Sequence, residues 1–66
     1  MRCTLILVGT ELLNGATLDT NSVFMAEELN KVGIKIDLKL TVGDSLESIE
    51  KALKFARETS ELIILS

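Results

Sequence analysis

The chain has 66 residues, which is enough for one small domain and too few for a second. It is 47% hydrophobic and 26% charged, a balance that excludes an intrinsically disordered protein. The formal net charge is -3, and two phenylalanines make up all of the aromatic residues. Such a chain offers neither a basic stripe for phosphate backbones nor a platform for stacked bases. We therefore expect no nucleic-acid partner and no binding to membranes.

The composition lacks the usual means of stabilising so short a chain. There is one cysteine, Cys3, and there are no histidines and no prolines, so no internal disulfide supplements the small core. We expect Cys3 to be a buried hydrophobe, and we expect an incomplete domain that the remainder of the same polypeptide or an oligomeric partner completes. Residues 5–8 form the longest apolar run, which is too short to span a bilayer. With no signal-peptide pattern at its start, the chain is expected to be cytoplasmic.

The first predicted strand is the nearly continuous apolar run Cys3–Val8, which is typical of a strand buried on both faces of a parallel sheet. A long loop follows, with a possible helical turn over residues 11–13 and turn formers at Asn14 and Gly15. Long loops inside compact α/β units are disproportionately functional. This loop is therefore the first place to look for a site.

The next segment is predicted to be an amphipathic helix that ends at Gly33. Any of three polar residues can cap its start: Thr20, Asn21 and Ser22. Its predicted buried face consists of apolar residues at helical spacing: Met25, Ala26, Leu29 and Val32. Phe24 falls on the opposite side of this helix.

A second strand is predicted over residues 34–40, where apolar and charged residues alternate strictly and suggest a sheet edge. Residues 41–44 are then expected to form a loop into a second helix, with Asp44 as N-cap and Glu47 completing a capping box. The predicted buried face of this helix is Leu46, Ile49, Leu53 and Ala56. The apolar run Leu62–Leu65 is predicted to be a third buried strand.

The order β-α-β-α-β predicts an α/β fold with a parallel sheet and right-handed crossovers. Because the first and third strands read as buried and the second as an edge, the predicted strand order is 2-1-3, with one helix on each face. The third strand would then be an apolar edge with unpaired backbone groups, which natural folds cover. A fourth strand, from the rest of the polypeptide or from another chain, is expected beside it.

In an open parallel sheet, ligands bind at the carboxyl ends of the strands, near the point where the strand order reverses. This rule selects the loops after the first and second strands, and each holds a carboxylate near a glycine: Glu11 near Gly9, and Asp44 beside Gly43. The two carboxylates could hold a divalent cation, and the amino ends of the helices could present N–H groups to phosphate. A third contribution to the site is expected beyond Ser66.

Ordinary structural roles are open for the same residues. Helix capping alone explains the position of Asp44, and Glu11 is equally consistent with a solvated loop carboxylate. Asp19 and Asn21 suit turns and helix caps. The sequence has no glycine-rich phosphate loop and no cluster of cysteine or histidine ligands. From the residues alone, the prediction is an α/β chain with a candidate anion or metal site.

Several of these residues also form a motif series: Val8-Gly9-Thr10-Glu11-Leu12-Leu13-Asn14-Gly15, Asp19-Thr20-Asn21-Ser22, Leu29 with Gly33, and Val42-Gly43-Asp44. The series runs through the chain in order and resembles the amino-terminal part of the CinA family of competence/damage-inducible proteins. It is more distantly similar to the molybdopterin-binding domain of the MoaB, MogA and MoeA proteins. The resemblance implies a three-layer α/β/α domain whose sheet begins 2-1-3.

The resemblance to CinA implies metal-dependent cleavage of the pyrophosphate in nucleotide sugars such as ADP-ribose, and the molybdenum-cofactor branch implies molybdopterin binding. By motif, Glu11 and Asp44 match acidic site residues and are the catalytic and metal-binding candidates. The candidates for binding substrate or phosphate are Gly9, Thr10, Gly15, Asp19, Asn21 and Gly43. Family members continue after the third strand into a Gly-Gly-x-Gly-Pro-Thr stretch and a downstream Asp, neither of which follows Leu62–Leu65 here.

The leading hypothesis is that residues 1–66 are the amino-terminal part of a CinA-like pyrophosphatase domain that uses a divalent metal ion. One alternative is a module that binds a nucleotide or pterin without hydrolysing it. Another is an inactive fragment that folds only when its third strand pairs with a complementary piece or a second copy. On any of the three, the isolated chain is expected to be inactive as an enzyme.

Overall fold

The computed structural model of the chain describes residues 1–16 and 18–66. Within these residues the elements are, in chain order, β1 (Cys3–Val8), α1 (Thr10–Leu13), α2 (Asn21–Lys31), β2 (Ile36–Val42), α3 (Leu46–Thr59) and β3 (Leu62–Leu65). The strands are parallel and lie in the order β2-β1-β3. The α/β class and the strand order predicted from the sequence are confirmed.

β1 forms the centre of the molecule because it pairs with both other strands. Residues 3–7 are buried, as the apolar run predicted, and Cys3 is fully buried. Burial raises the pKa of the Cys3 thiol, so the thiol stays in its unreactive protonated form. On one face of the sheet, Ile6 packs with Ala52 and Ala56 of α3 to form the core.

The other face of the sheet is covered by α2. Side chains alternate along a strand, so Leu5 and Leu7, both buried, point away from the α3 layer. Lys39 of β2 lies opposite Leu5, and its Nζ lies 3.4 Å from the hydroxyl oxygen of Ser22 in α2. The sheet therefore has one long helix on each face, as predicted.

The last helical residue of α2 is Lys31, two residues before the predicted stop at Gly33, and β2 begins two residues later than the predicted strand over residues 34–40. Gly33 has a φ of 83°, and the Ile34 N–H donates to the Leu29 carbonyl oxygen at 2.9 Å. This pattern is a Schellman motif. Ile34 belongs to the turn that ends the helix, and only after it does the chain enter the sheet at Ile36.

The opposite end of β2 also differs from the prediction, since Thr41 and Val42 lie in the strand rather than in a loop. Val42 lies opposite Val8 and its carbonyl oxygen accepts from the Gly9 N–H at 3.0 Å. Alternating polarity identifies which side chains face the core. It does not identify where pairing with β1 stops.

The start of α2 is not capped as predicted. Thr20 occupies the N-cap position without a side-chain hydrogen bond. The Asp19 carboxylate instead accepts from the Ser22 N–H at 3.0 Å and from the Ser22 hydroxyl at 2.5 Å. An aspartate one residue earlier in the chain therefore performs the role predicted for Thr20, Asn21 or Ser22, because its carboxylate can accept both bonds.

The predicted buried faces of the long helices were wrong at their ends. Val32 is 72% exposed because it follows the last helical residue of α2. Leu46 is 73% exposed because it opens the first turn of α3, ahead of the core contact at Ala52. Phe24 is exposed, as expected from its position opposite the apolar face.

β3 is less buried than predicted. Residues 62–64 are half-buried and Leu65 is exposed, because the strand pairs with β1 on one side and, among the described residues, with no strand on the other. A further strand beside β3 stays a prediction. Across residues 1–16 and 18–66, no helix has the length and apolarity needed to cross a membrane.

Candidate functional site

The carboxyl ends of all three strands meet at one edge of the sheet. The Val8 N–H donates to the carbonyl oxygen of Ser66 at 2.9 Å, and the Gly9 N–H donates to the carbonyl oxygen of Val42 at 3.0 Å. Ligands of open parallel sheets bind at this edge. The segments predicted to carry the site therefore lie next to one another.

The loops after β1 and β2 are joined by a hydrogen bond between a side chain and the backbone. α1 begins at Thr10, directly after β1. The Thr10 hydroxyl oxygen Oγ1 accepts from the Asp44 N–H at 3.3 Å. This bond holds Asp44 beside α1, so two of the predicted site residues are in direct contact.

Asp44 is not the cap of α3, which corrects the capping prediction. Ser45 is the N-cap, and its Oγ accepts from the Ser48 N–H at 3.1 Å. Glu47, the predicted partner in a capping box, lies 3.3 Å from the Lys51 ammonium instead. Among the hydrogen bonds and ion pairs of the described residues, none involves the Asp44 carboxylate. Since capping does not occupy this exposed group, it can bind a ligand.

The Glu11 side chain lies over Gly9. A Cβ atom placed on Gly9 would be 2.9 Å from Glu11 Oε1, closer than real Cβ atoms approach. Glu11 also lines a cleft of about 270 Å³ between the β1 loop and the end of β3. Glu11 is exposed, as a solvated carboxylate would be. Its carboxylate occupies space beside the cleft that is open because residue 9 has no side chain.

The cleft beside Glu11 contains two other predicted residues, Asp19 and Asn21. Its remaining lining residues are Leu7, Val8, Leu12, Leu18, Thr20 and Ser66. The Asn21 side-chain amide donates to the Ser66 hydroxyl oxygen at 3.4 Å. This bond connects the start of α2 to the end of β3 across the cleft.

Asp19 is an anion with its acceptor atoms in use. Hydrogen bonds from the Ser22 hydroxyl and the Ser22 N–H, together with the nearby Lys39 ammonium, lower the pKa of Asp19. Lys39 Nζ lies 3.5 Å from Asp19 Oδ2. A carboxylate held ionised is a poor direct ligand for phosphate, so Asp19 shapes the cleft wall. Its predicted contact with substrate stays a prediction.

The two remaining glycine candidates occupy different surroundings. Gly15 lies in the turn after α1 with a φ of 78°, a left-handed conformation that favours glycine, and it is not among the residues that line the cleft. Gly43 lies next to α1: a Cβ there would be 3.9 Å from Thr10 Oγ1 and 3.7 Å from Leu13 Cδ2. Gly43 therefore lies beside the candidate site, whereas Gly15 forms a turn outside the cleft.

A metal site at this edge of the sheet stays a prediction. In residues 1–16 and 18–66, no group of three or more His, Cys, Asp or Glu side chains is arranged to hold a metal. Glu11 and Asp44 offer two carboxylates from adjoining loops, and no hydrogen bond or ion pair of the described residues joins them. Mg²⁺ commonly takes one or two protein carboxylates and completes its shell with water and substrate phosphate.

Two residues near the site were not selected from the sequence. The third contribution to the site was expected beyond Ser66, but Ser66 itself lines the cleft and its hydroxyl accepts a hydrogen bond from Asn21. Lys39 was interpreted only as a charged position of an edge strand, and it contacts Asp19 and Ser22. Strand parity places Lys39 on the α2 face and is the signal that could have identified it.

These features define a parallel α/β domain whose polar side chains gather at the carboxyl edge of the sheet, where this class of protein binds ligands. The family model described as "Probable molybdopterin binding domain" matches residues 4–66. The chain belongs to this family.

The resemblance to CinA is confirmed by its relatives. A CinA-like protein from Fusobacterium nucleatum is 56% identical over 66 residues, which are 100% of this chain and 16% of the relative. A competence-damage inducible protein from Caldanaerobacter subterraneus is 47% identical over 64 residues, or 97% of this chain and 16% of that protein. The crystal structure of CinA, of unknown function, from Thermoplasma acidophilum is 33% identical with a TM-score of 0.89, over 97% of this chain and 38% of that one.

Proposed function

We propose that this chain binds a phosphate-bearing nucleotide at the carboxyl edge of its sheet and contributes Glu11 and Asp44 to metal-dependent cleavage of a pyrophosphate bond. The observation that carries the proposal is the Asp44 carboxylate. Ser45 caps α3, and the Asp44 N–H donates to the Thr10 hydroxyl oxygen, which holds the Asp44 backbone beside α1. An exposed carboxylate that does not cap a helix is available to bind a ligand.

The reaction is hydrolysis of a phosphoanhydride. For ADP-ribose, water adds to one phosphorus, the bridging P–O bond breaks, and the products are AMP and ribose 5-phosphate. A divalent ion would be held by the carboxylates of Glu11 and Asp44, and its charge would neutralise the phosphate oxygens.

The chain spans 16% of the length of the Fusobacterium nucleatum relative, so activity is tested in a full-length polypeptide. In a hybrid, this chain replaces the matching 66 residues of that relative. Asp44→Asn and Glu11→Gln should each lower turnover of ADP-ribose with Mg²⁺ or Mn²⁺ by about tenfold or more, since a lost contact to a charged group costs on the order of 1.5 kcal/mol. Glu47→Gln is the matched control, because Glu47 pairs with Lys51 on the exposed face of α3. Near wild-type turnover in both site variants would exclude this function.

A second candidate function is binding of molybdopterin without hydrolysis, which the description of the matching family favours. Molybdopterin also carries a phosphate, so the same edge of the sheet would bind it. The two candidates differ in their products. Tight pterin binding by the hybrid, with no release of phosphate or nucleotide monophosphate, would favour the binding module over the hydrolase.

A further inference from the structure

A second concave surface, which we call the α1–α3 groove, opens on the α3 side of the sheet near β2. Its volume is about 440 Å³, within the usual range for small-molecule pockets. The residues that line it are Leu13, Leu40, Thr41, Val42, Gly43, Ser48, Lys51, Ala52 and Phe55. The groove is therefore apolar along its walls and polar at a few points.

Two large apolar side chains of the groove are uncovered. Leu13 is 54% exposed and Phe55 is 50% exposed. Leu13 belongs to α1 and Phe55 to α3, so both helices contribute apolar surface to the groove. Exposed apolar surface at a concave site is a feature of ligand-binding grooves and of protein interfaces.

The groove is continuous with the candidate site. Gly43 lines the groove and directly precedes Asp44. A Cβ on Gly43 would lie 3.9 Å from Thr10 Oγ1 at the candidate site and 3.7 Å from Leu13 Cδ2 in the groove. Because Gly43 has no Cβ, this space between the site and the groove is open. A molecule whose phosphate lies at Asp44 can therefore extend past Gly43 into the groove.

The polar groups of the groove suit a heterocycle that is attached to an anion. The Ser48 hydroxyl oxygen accepts from the Ser45 hydroxyl at 2.9 Å, so Ser48 keeps its own proton to donate to a ring nitrogen or carbonyl. Lys51 also lines the groove, and its ammonium pairs with the Glu47 carboxylate at 3.3 Å. Phe55 supplies an aromatic face, on which flat rings stack.

We infer that the α1–α3 groove binds the planar heterocycle of the phosphate-bearing ligand, with Phe55 as the residue that stacks on it. This inference rests on the proposed function, because it needs the phosphate to lie near Asp44. A nucleobase and a pterin share the required chemistry, being flat, largely apolar on their faces and rich in acceptors at their edges.

The test measures the binding of two probes to the hybrid polypeptide and its variants. ADP-ribose contains a ring, and inorganic pyrophosphate does not. Phe55→Ala and Phe55→Leu should each weaken ADP-ribose binding about fivefold or more, since stacking contributes about 1–3 kcal/mol per base, and should leave pyrophosphate binding unchanged. Phe24→Ala is the matched control, because Phe24 is the other exposed phenylalanine, at 61% against 50% for Phe55, and lies on α2; this variant should change neither affinity.

The outcomes separate the groove from the proposed function. If Asp44→Asn weakens both probes while the Phe55 variants bind ADP-ribose like wild type, the groove inference is overturned and the proposed function stands. If the Phe55 variants weaken ADP-ribose and Asp44→Asn changes neither probe, the groove stands and the proposed function is wrong. If neither probe binds the hybrid, the groove inference and the proposed function are both wrong. If Phe55→Ala instead converts a dimer to a monomer and leaves ADP-ribose binding unchanged, the groove is not a ligand site and a second copy is the better occupant.

Discussion

The Glu11 carboxylate occupies the space that a side chain on Gly9 would need. Oε1 would lie 2.9 Å from a Cβ on Gly9, and Cδ would lie 3.2 Å from it. The Gly9 backbone is extended, with a φ of 164°, which any residue can adopt. The requirement for glycine at position 9 therefore comes from the Glu11 side chain rather than from backbone conformation.

Gly9→Ala should displace the Glu11 carboxylate and leave the fold intact. The displaced atoms are the far end of a flexible side chain, so the free energy of unfolding should change by less than about 1 kcal/mol. Turnover of ADP-ribose by the hybrid polypeptide should fall as it does for Glu11→Gln. Gly43→Ala is the control for stability, because a Cβ at Gly43 makes ordinary contacts at 3.7 Å or more. For turnover the control is a Glu11→Ala background, in which Gly9→Ala should have no further effect because there is no carboxylate to displace. Equal turnover in wild type and Gly9→Ala would show that the position of Glu11 does not matter.

Ser45 and Asp44 should separate stability from activity at the start of α3. Ser45→Ala removes the N-cap bond to the Ser48 N–H and should lower the free energy of unfolding by about 1 kcal/mol. Asp44→Ala removes a carboxylate that caps nothing, so it should affect turnover and leave stability nearly unchanged. Urea denaturation of the chain measures the first effect, and ADP-ribose turnover of the hybrid measures the second. A larger loss of stability in Asp44→Ala than in Ser45→Ala would restore the capping role of Asp44.

The order of the strands and long helices could be predicted from the sequence because each of these elements has a strong local signal. The run Cys3–Val8 has no charged residue to place at a surface, and Gly33 ends α2 in a left-handed conformation. The strand order followed from burial alone, since only a strand with neighbours on both sides can bury residues 3–7 completely. These features depend only on residues that are adjacent in the chain and on the composition of each segment, and both can be read from the sequence.

The details of the site depended on contacts that the sequence does not express. Asp44 and Ser45 are both good capping residues. In the structure the Asp44 N–H donates to Thr10 of α1, which is distant in sequence, and Ser45 is the cap of α3. Asp19 likewise became the capping partner of Ser22 while Lys39 approached it from β2. Competition between equivalent residues is decided by tertiary packing, so propensity alone assigned these caps wrongly.

Gly33→Ala should destabilise the chain through the backbone. Gly33 has a φ of 83°, and a Cβ there would meet no atom within 4 Å, so the cost comes from the left-handed conformation and not from crowding. That conformation costs an L-residue roughly 1–2 kcal/mol, and the free energy of unfolding should fall by about that amount. Gly43→Ala, at a glycine without positive φ, is again the control in thermal denaturation. Indistinguishable melting temperatures for wild type and Gly33→Ala would contradict the Schellman turn.

Asp19 should make the stability of the chain depend on pH. Hydrogen bonds from the Ser22 hydroxyl and N–H lower the pKa of Asp19 below its ordinary value of 3.8. A carboxyl whose pKa is lower in the folded state stabilises that state when ionised. The contribution is therefore complete above the ordinary value and is lost as the pH falls through the lowered one. Asp19→Asn should be less stable than wild type at neutral pH, and the difference should shrink as the pH falls below 3.8.

Thermal denaturation of both proteins across this range measures the effect. Ser22→Ala is the matched background, because it removes the hydroxyl that donates to the Asp19 carboxylate. In that background the pH-dependent change in stability caused by Asp19→Asn should be smaller. A constant difference for Asp19→Asn in the wild-type background would mean that the carboxylate does not accept the Ser22 bonds. The start of α2, and with it the wall of the cleft beside Glu11, would then be held by Lys39 and Asn21 instead.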